Sequence, residues 1–155
     1  MTPMTFTIDF GTFFRWVGPV VAIAAVLYFG VRGLGRLRNI FARRQFDERD
    51  RDVLRQRWRE IGKMADQPGE MGRKMAVLEA DKLLDQALKS LAMPGQTLGD
   101  RLKFAQYKYP ELRDVWWAHR VRNQLAHETS AHLDPAVGRR ALASFRKALE
   151  RLGAL

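Results

Sequence analysis

The chain has 155 residues and a formal net charge of +10, with 27 lysines and arginines against 17 acidic residues. This length allows one compact domain and little more. The absence of cysteine excludes disulfides and thiolate metal sites. So basic a chain favours anionic partners, either phosphate backbones or the anionic cytoplasmic face of a membrane.

An apolar run without charges covers residues 16–31, with the sequence WVGPVVAIAAVLYFGV. As a helix it spans about 24 Å, and the aromatic residues just before it extend this to a bilayer core of about 30 Å. Arg15 would reach the headgroups by snorkelling. The pattern predicts a transmembrane helix over residues 13–31, preceded by a short N-terminal tail over residues 1–12.

A cleaved signal peptide and a buried core helix are the alternatives for this run. A signal peptide needs a basic segment before the run and a small-residue cleavage site after it, whereas Asp9 precedes the run and arginines follow it. A buried helix would not usually precede so basic a flank. The arginines that flank the span are Arg32, Arg36, Arg38, Arg43 and Arg44. They predict a single-pass protein of the cell membrane, with its N-terminus outside and its C-terminal domain in the cytoplasm.

Residues 32–69 are predicted to form a basic juxtamembrane arm. Ten arginines and four acidic residues lie between Arg32 and Arg59, and a charged helix is expected over residues 45–66. We interpret this charge as a topology signal that also attracts anionic lipid headgroups, at about 1 kcal/mol per basic residue. A nucleic-acid-binding patch is the alternative. Gln67, Pro68 and Gly69 are expected to end the helix.

Residues 70–155 have helical periodicity, which predicts an all-α fold. A helix is expected over residues 70–92, with an apolar stripe that includes Met71, Met75 and Leu84. Thr97 and Asp100 have the spacing of an N-terminal capping box. Pro110 and Pro135 are each expected at the first turn of a helix. The short connections predict a small antiparallel helical bundle behind the transmembrane helix.

The helix expected over residues 110–129 is unusual because its apolar face becomes polar. His119 and Asn123 follow the apolar positions at helical spacing, and Arg120, Asn123 and His127 also follow one another at helical spacing. Polar residues at positions that the pattern reserves for the core cost stability. Such departures are typical of functional sites.

The sequence RNQLAH at residues 122–127 resembles the signature of the HEPN superfamily, in which arginine, a polar residue and then histidine follow one another closely. It lies on the penultimate helix of a small bundle, where that family carries it, and Glu128 also fits the pattern. The resemblance covers residues 70–155. It implies a homodimer with two Arg/His pairs in a basic cleft, and a metal-independent endoribonuclease that needs no cofactor.

The resemblance assigns catalytic roles to Arg122, Asn123 and His127, with RNA as the partner. His127 would transfer protons around a 2′-hydroxyl, Arg122 would hold the scissile phosphate, and Asn123 would orient one of these groups. Residues five apart lie about 140° around an ideal helix. Arg122 and His127 of one chain therefore do not share a face unless the helix ends or distorts near His127, and a site composed of two chains would remove this difficulty.

A non-catalytic, membrane-tethered interaction or assembly module is the alternative. Arg122 and Asn123 would then bond to helix ends or to acidic residues, of which Glu79, Asp81 and Asp85 are candidates, and His127 would cap its helix. The spacing of the three histidines matches no common metal site. The Trp116–Trp117 pair would pack in the core or at a dimer interface rather than stack on bases.

Overall fold

The structure is a computed structural model that describes residue 28 and residues 46–128 and 131–155. Within these ranges the chain is entirely helical, which confirms the predicted all-α class and the helical bundle. The elements are α1 (Glu48–Ala65), α2 (Glu70–Ser90), α3 (Leu98–Lys108), a 3₁₀ helix (Pro110–Asp114), α4 (Val115–His127) and α5 (Pro135–Leu152).

Side-chain caps mark the starts of α3 and α5, and a glycine marks the end of α5. The Thr97 hydroxyl accepts a hydrogen bond from the Asp100 backbone N–H, and the Asp100 carboxylate accepts one from the Thr97 backbone, so the predicted capping box at the start of α3 is confirmed. Asp134 caps α5, with Pro135 in the first turn. Gly153 ends α5 in the left-handed conformation, at φ 77°, which glycine adopts without steric cost.

The segment expected as one helix from Pro110 divides into two. Pro110 begins a 3₁₀ turn in which the Leu112 N–H donates to the Tyr109 carbonyl at 3.0 Å, and regular α-helix begins only at Val115. Leu112 and Val115 are each 1% exposed. Because side chains three residues apart lie on the same side of a 3₁₀ turn, both Leu112 and Val115, the first residue of α4, face the core.

Helix α2 lies at the centre of the bundle and contacts α1, α3, α4 and α5. Its alanines allow neighbouring helices to approach closely, and its leucines fill the core together with residues of α3 and α5. Leu84 is buried as predicted, but Met71 and Met75 are 70% and 41% exposed, so their assignment to the buried stripe was wrong. At 100° per residue, Met75 falls opposite Leu84.

The charged helix α1, predicted as part of an arm over residues 32–69, packs against α2. Leu54 and Ile61 of α1 are 1% and 4% exposed and belong to the common core. The end of α1 and the first turn of α2 lie so close together that a Cβ at Gly72 would be 2.5 Å from the Met64 carbonyl oxygen. Glycine is therefore required at this position. Helix α1 therefore belongs to the same compact unit as α2 to α5.

Glu70, the first residue of α2, holds the connection between α4 and α5. Its carboxylate accepts a hydrogen bond from the Leu133 N–H at 2.7 Å, and lies 2.8 Å from Lys74 Nζ and 2.9 Å from His132 Nδ1. The hydrogen bonds from Lys74 and Leu133 are the main causes that lower the pKa of Glu70 to about 2.

The predicted tail over residues 1–12, the predicted transmembrane helix over residues 13–31 and the flanking arginines lie outside the described residues, apart from Tyr28. Among the helices that the structure does describe, none has the length and apolar character needed to cross a membrane.

Candidate functional site

Two side chains of α4 converge on Asp81 of α2, a carboxylate that is only 3% exposed. His119 Nδ1 lies 2.7 Å from Asp81 Oδ1, and Arg122 Nε lies 3.1 Å from Oδ2. The Arg122 contact is an ion pair in which the N–H bond is not directed at the oxygen. A carboxylate removed from water is costly unless it is paired, so this cluster holds α2 and α4 together.

Asn123 completes this Asp81 cluster. Its carbonyl oxygen accepts a hydrogen bond from Arg122 Nη1 at 2.9 Å, and its amide nitrogen lies 3.3 Å from His119 Nε2. All of these contacts are satisfied when His119 donates from Nδ1 to Asp81 and accepts at Nε2 from the Asn123 amide. The orientations of His119, Arg122 and Asn123 are therefore set jointly.

The Asp81 cluster forms one wall of an open pocket of about 640 Å³ between α2, α4 and the start of α3. Its cations each lie beside a carboxylate. Lys82 Nζ is 2.6 Å from Glu79, Lys89 Nζ is 2.6 Å from Asp85, and Arg122 faces Asp81. The charge of this pocket is therefore largely compensated.

Arg101 supports the loop beside this pocket and is itself 5% exposed. Its Nε donates to Asp85 Oδ1 at 2.8 Å, and its Nη atoms donate to the carbonyls of Gly95 and Gln96. Burial raises the pKa of Asp85, but hydrogen bonds from Arg101 and Lys89 outweigh it and lower that pKa below its usual value. The loop needs glycine at Gly95, where φ is 139° and a Cβ would lie 2.6 Å from Asp100 Cβ.

The three predicted site residues do not lie together in one chain. Arg122 and Asn123 line the pocket, whereas His127 is the exposed last residue of α4 and is not among the lining residues. Of the acidic partners considered for Arg122, Asp81 is the one that the structure places beside it. His119 joins Arg122 and Asn123 instead of His127, and its spacing of three and four residues from them could have indicated this.

A second concave surface lies between α4 and α5, and we call it the aromatic-basic groove. It has a volume of about 740 Å³ and is lined by Arg113, Asp114, Trp116, Trp117, Arg120, Arg140, Ala143, Ser144 and Lys147. Trp116 and Trp117 pack against the core with part of each side chain exposed. Sequence reasoning missed this groove because its two halves come from different helices.

Within residues 46–128 and 131–155, no three histidine or acidic side chains cluster closely enough to hold a metal ion. No protein-family model, curated protein or solved structure matches the chain. A functional inference therefore depends on the residues of α4 and on the two surfaces beside it.

Proposed function

We propose that the chain is a membrane-anchored, HEPN-like helical protein that acts as a metal-independent endoribonuclease in a homodimer, with Arg122, Asn123 and His127 as its site residues. The observation that supports this proposal most is the position of Arg122 and Asn123, side by side on the wall of an open pocket. The predicted span over residues 13–31 would hold the domain at the cytoplasmic face, with its flanking arginines at anionic lipid headgroups.

Arg122 has the donors that phosphate binding requires. A guanidinium carries five N–H groups, and Arg122 donates one side-chain hydrogen bond to a described residue, from Nη1 to Asn123, beside its ion pair with Asp81. The remaining N–H groups are available to phosphate oxygens, and 28% of the side chain is exposed. Because Asp81 and Asn123 fix the guanidinium in advance, it can stabilise developing charge on a phosphate with little reorganisation.

His127 supplies the proton transfer. In RNA cleavage the 2′-oxygen attacks the adjacent phosphorus, a base takes the 2′-hydroxyl proton, and the 5′-oxygen leaves with a proton. The products are a 2′,3′-cyclic phosphate and a 5′-hydroxyl. Histidine titrates near neutral pH and suits this transfer. Because His127 is exposed and about 140° around α4 from Arg122, we assign each site one Arg122 from one protomer and one His127 from its partner.

A non-catalytic membrane-tethered module is the second candidate function. The ion pair between Arg122 and the buried Asp81 favours it, because this pair also explains Arg122 as a residue that fastens α4 to α2. In that case the exposed surfaces of the bundle would serve assembly with a protein partner. Activity measurements on matched variants distinguish the two functions.

The test uses the full chain in lipid nanodiscs, a fluorescently labelled RNA and EDTA. The wild-type protein is expected to cleave the RNA, whereas Arg122→Ala and His127→Ala each lose activity by about a hundredfold or more. Arg139→Ala is the matched control, because Arg139 is an exposed arginine of α5. Circular dichroism and the oligomeric mass check each variant. If folded, dimeric wild-type protein leaves diverse RNAs intact, the module is the correct function.

A further inference from the structure

The aromatic-basic groove differs from the pocket beside the Asp81 cluster in that most of its cations have no carboxylate partner. Arg113, Arg120 and Arg140 are exposed and have no carboxylate partner among the described residues, whereas Lys147 lies 3.3 Å from Asp114. Four basic side chains therefore line this groove with a single carboxylate. Cations that a fold holds close together without counter-charges attract anionic ligands strongly.

The groove also contains a platform for stacking. The Arg140 guanidinium lies 4.3 Å from the centroid of the Trp117 ring. Trp117 packs against the core, so it provides a fixed surface against which the guanidinium rests before any ligand arrives. A nucleic-acid base can stack on the outer face of such a guanidinium or on the exposed part of the indole.

The concave shape favours a strand over a membrane surface. The groove is an open concavity of about 740 Å³ between α4 and α5, lined also by Arg113 and Asp114 of the 3₁₀ helix. A bilayer presents a broad surface, whereas a single strand can place its phosphates beside the arginines and lay a base against the exposed part of Trp117. Proteins that bind single strands combine the same two elements, namely a basic groove and aromatic or guanidinium platforms.

We infer that the aromatic-basic groove binds single-stranded RNA and leads it to His127. Arg120 and His127 are seven residues apart on α4 and so lie within about 20° of each other around the helix axis. A strand that contacts Arg113 and then Arg120 therefore continues toward His127 along the same side of α4. This inference rests on the proposed function for the identity of its ligand, but it assigns a binding site that the RNQLAH motif does not include.

The test measures binding of a 2′-O-methyl oligonucleotide to the full chain in phosphatidylcholine nanodiscs, by fluorescence anisotropy over a range of salt concentrations. The triple variant Arg113→Gln, Arg120→Gln and Arg140→Gln is compared with a control triple of equal charge, Arg139→Gln, Arg146→Gln and Arg151→Gln. If all three groove arginines contact phosphates, affinity at about 0.1 M salt falls on the order of a hundredfold and the salt slope decreases by about 2. The control is expected to change affinity by less than about threefold, because its arginines lie outside the groove.

Equal affinities of the two triple variants would overturn the inference. It is also overturned if the groove variant loses binding only to phosphatidylserine vesicles, measured by cosedimentation, and keeps its oligonucleotide affinity. Because a 2′-O-methyl strand lacks the attacking hydroxyl, binding is measured whether or not the protein cleaves RNA. If the inference about the groove is wrong, wild-type protein can still cleave RNA. If the proposed catalysis is wrong, the groove can still bind the oligonucleotide.

Arg140→Lys tests the platform separately, because lysine keeps the charge and loses the planar group. A fall in oligonucleotide affinity of about fivefold or more is expected, in line with the loss of one stacking contact. An unchanged affinity for Arg140→Lys would overturn the stacking part of the inference.

Discussion

Helix α4 contributes to two surfaces, one whose basic side chains are paired with carboxylates and one where most of them are not. On the side of α2, Arg122 faces the buried carboxylate of Asp81, and neighbouring lysines are paired as well. On the side of α5, Arg120 and Arg140 have no carboxylate partner among the described residues. Pairing with a carboxylate holds an arginine in a fixed orientation, whereas arginines without such partners leave net positive charge on the surface. The net charge of the chain does not reveal this division.

The largest expected effect separates chemistry from binding. Under the proposed function, Arg122→Gln is expected to lower kcat for RNA cleavage by about a hundredfold, because it removes the group assigned to meet developing charge. Arg120→Gln is expected to raise KM by about fivefold and to leave kcat nearly unchanged, because it removes one of the phosphate contacts proposed for the groove. Steady-state kinetics on both variants measures the difference. An equal loss of kcat in both would contradict the assignment of separate roles to the two surfaces.

The next effect concerns the stability of the Asp81 cluster. Asp81→Ala is expected to lower the free energy of unfolding by about 2–4 kcal/mol, because it leaves His119 and the part-buried Arg122 without their shared partner. Glu79→Ala is the matched control. It removes an i,i+3 pair with Lys82, whose side chain is 62% exposed, and is expected to cost about 0.5 kcal/mol. Urea unfolding of the full chain, followed by circular dichroism, gives both values. If the two losses are equal, the Asp81 cluster does not hold α2 and α4 together.

A smaller effect is expected at Glu70, which holds the connection between the two helices of the groove. Its pKa is lowered to about 2 in the folded chain, so the unfolded chain binds a proton more readily. The stabilisation is therefore fully present above about pH 4.5 and is lost as the pH falls toward 2. The variant Glu70→Gln should lose stability at neutral pH and show a flatter stability profile between pH 4.5 and 2. Thermal melts of the wild-type protein and of Glu70→Gln over this pH range provide the comparison. Parallel profiles would show that Glu70 contributes no pH-dependent stability.

The sequence allowed the helices to be predicted far better than the site. Caps and breakers such as Thr97, Asp100 and Pro135 act within a few residues, so their effect is visible in the local sequence. The partner of Arg122 lies on another helix, and the choice among Glu79, Asp81 and Asp85 depends on how α2 is rotated. The error at Met71 and Met75 has a different origin, because the spacing alone places Met75 opposite the buried Leu84 on α2. Arg101 could not be recognised because its partners come from α2 and a loop.

The most direct test of the proposed function is complementation between two inactive variants. Arg122→Ala and His127→Ala chains are co-expressed with different tags, and mixed dimers are isolated in nanodiscs by two successive affinity steps. If each site takes Arg122 from one protomer and His127 from its partner, a mixed dimer contains one intact site and recovers about half of the wild-type cleavage rate. A mixed dimer that remains as inactive as either parent, although wild-type protein cleaves the RNA, would contradict the composite site.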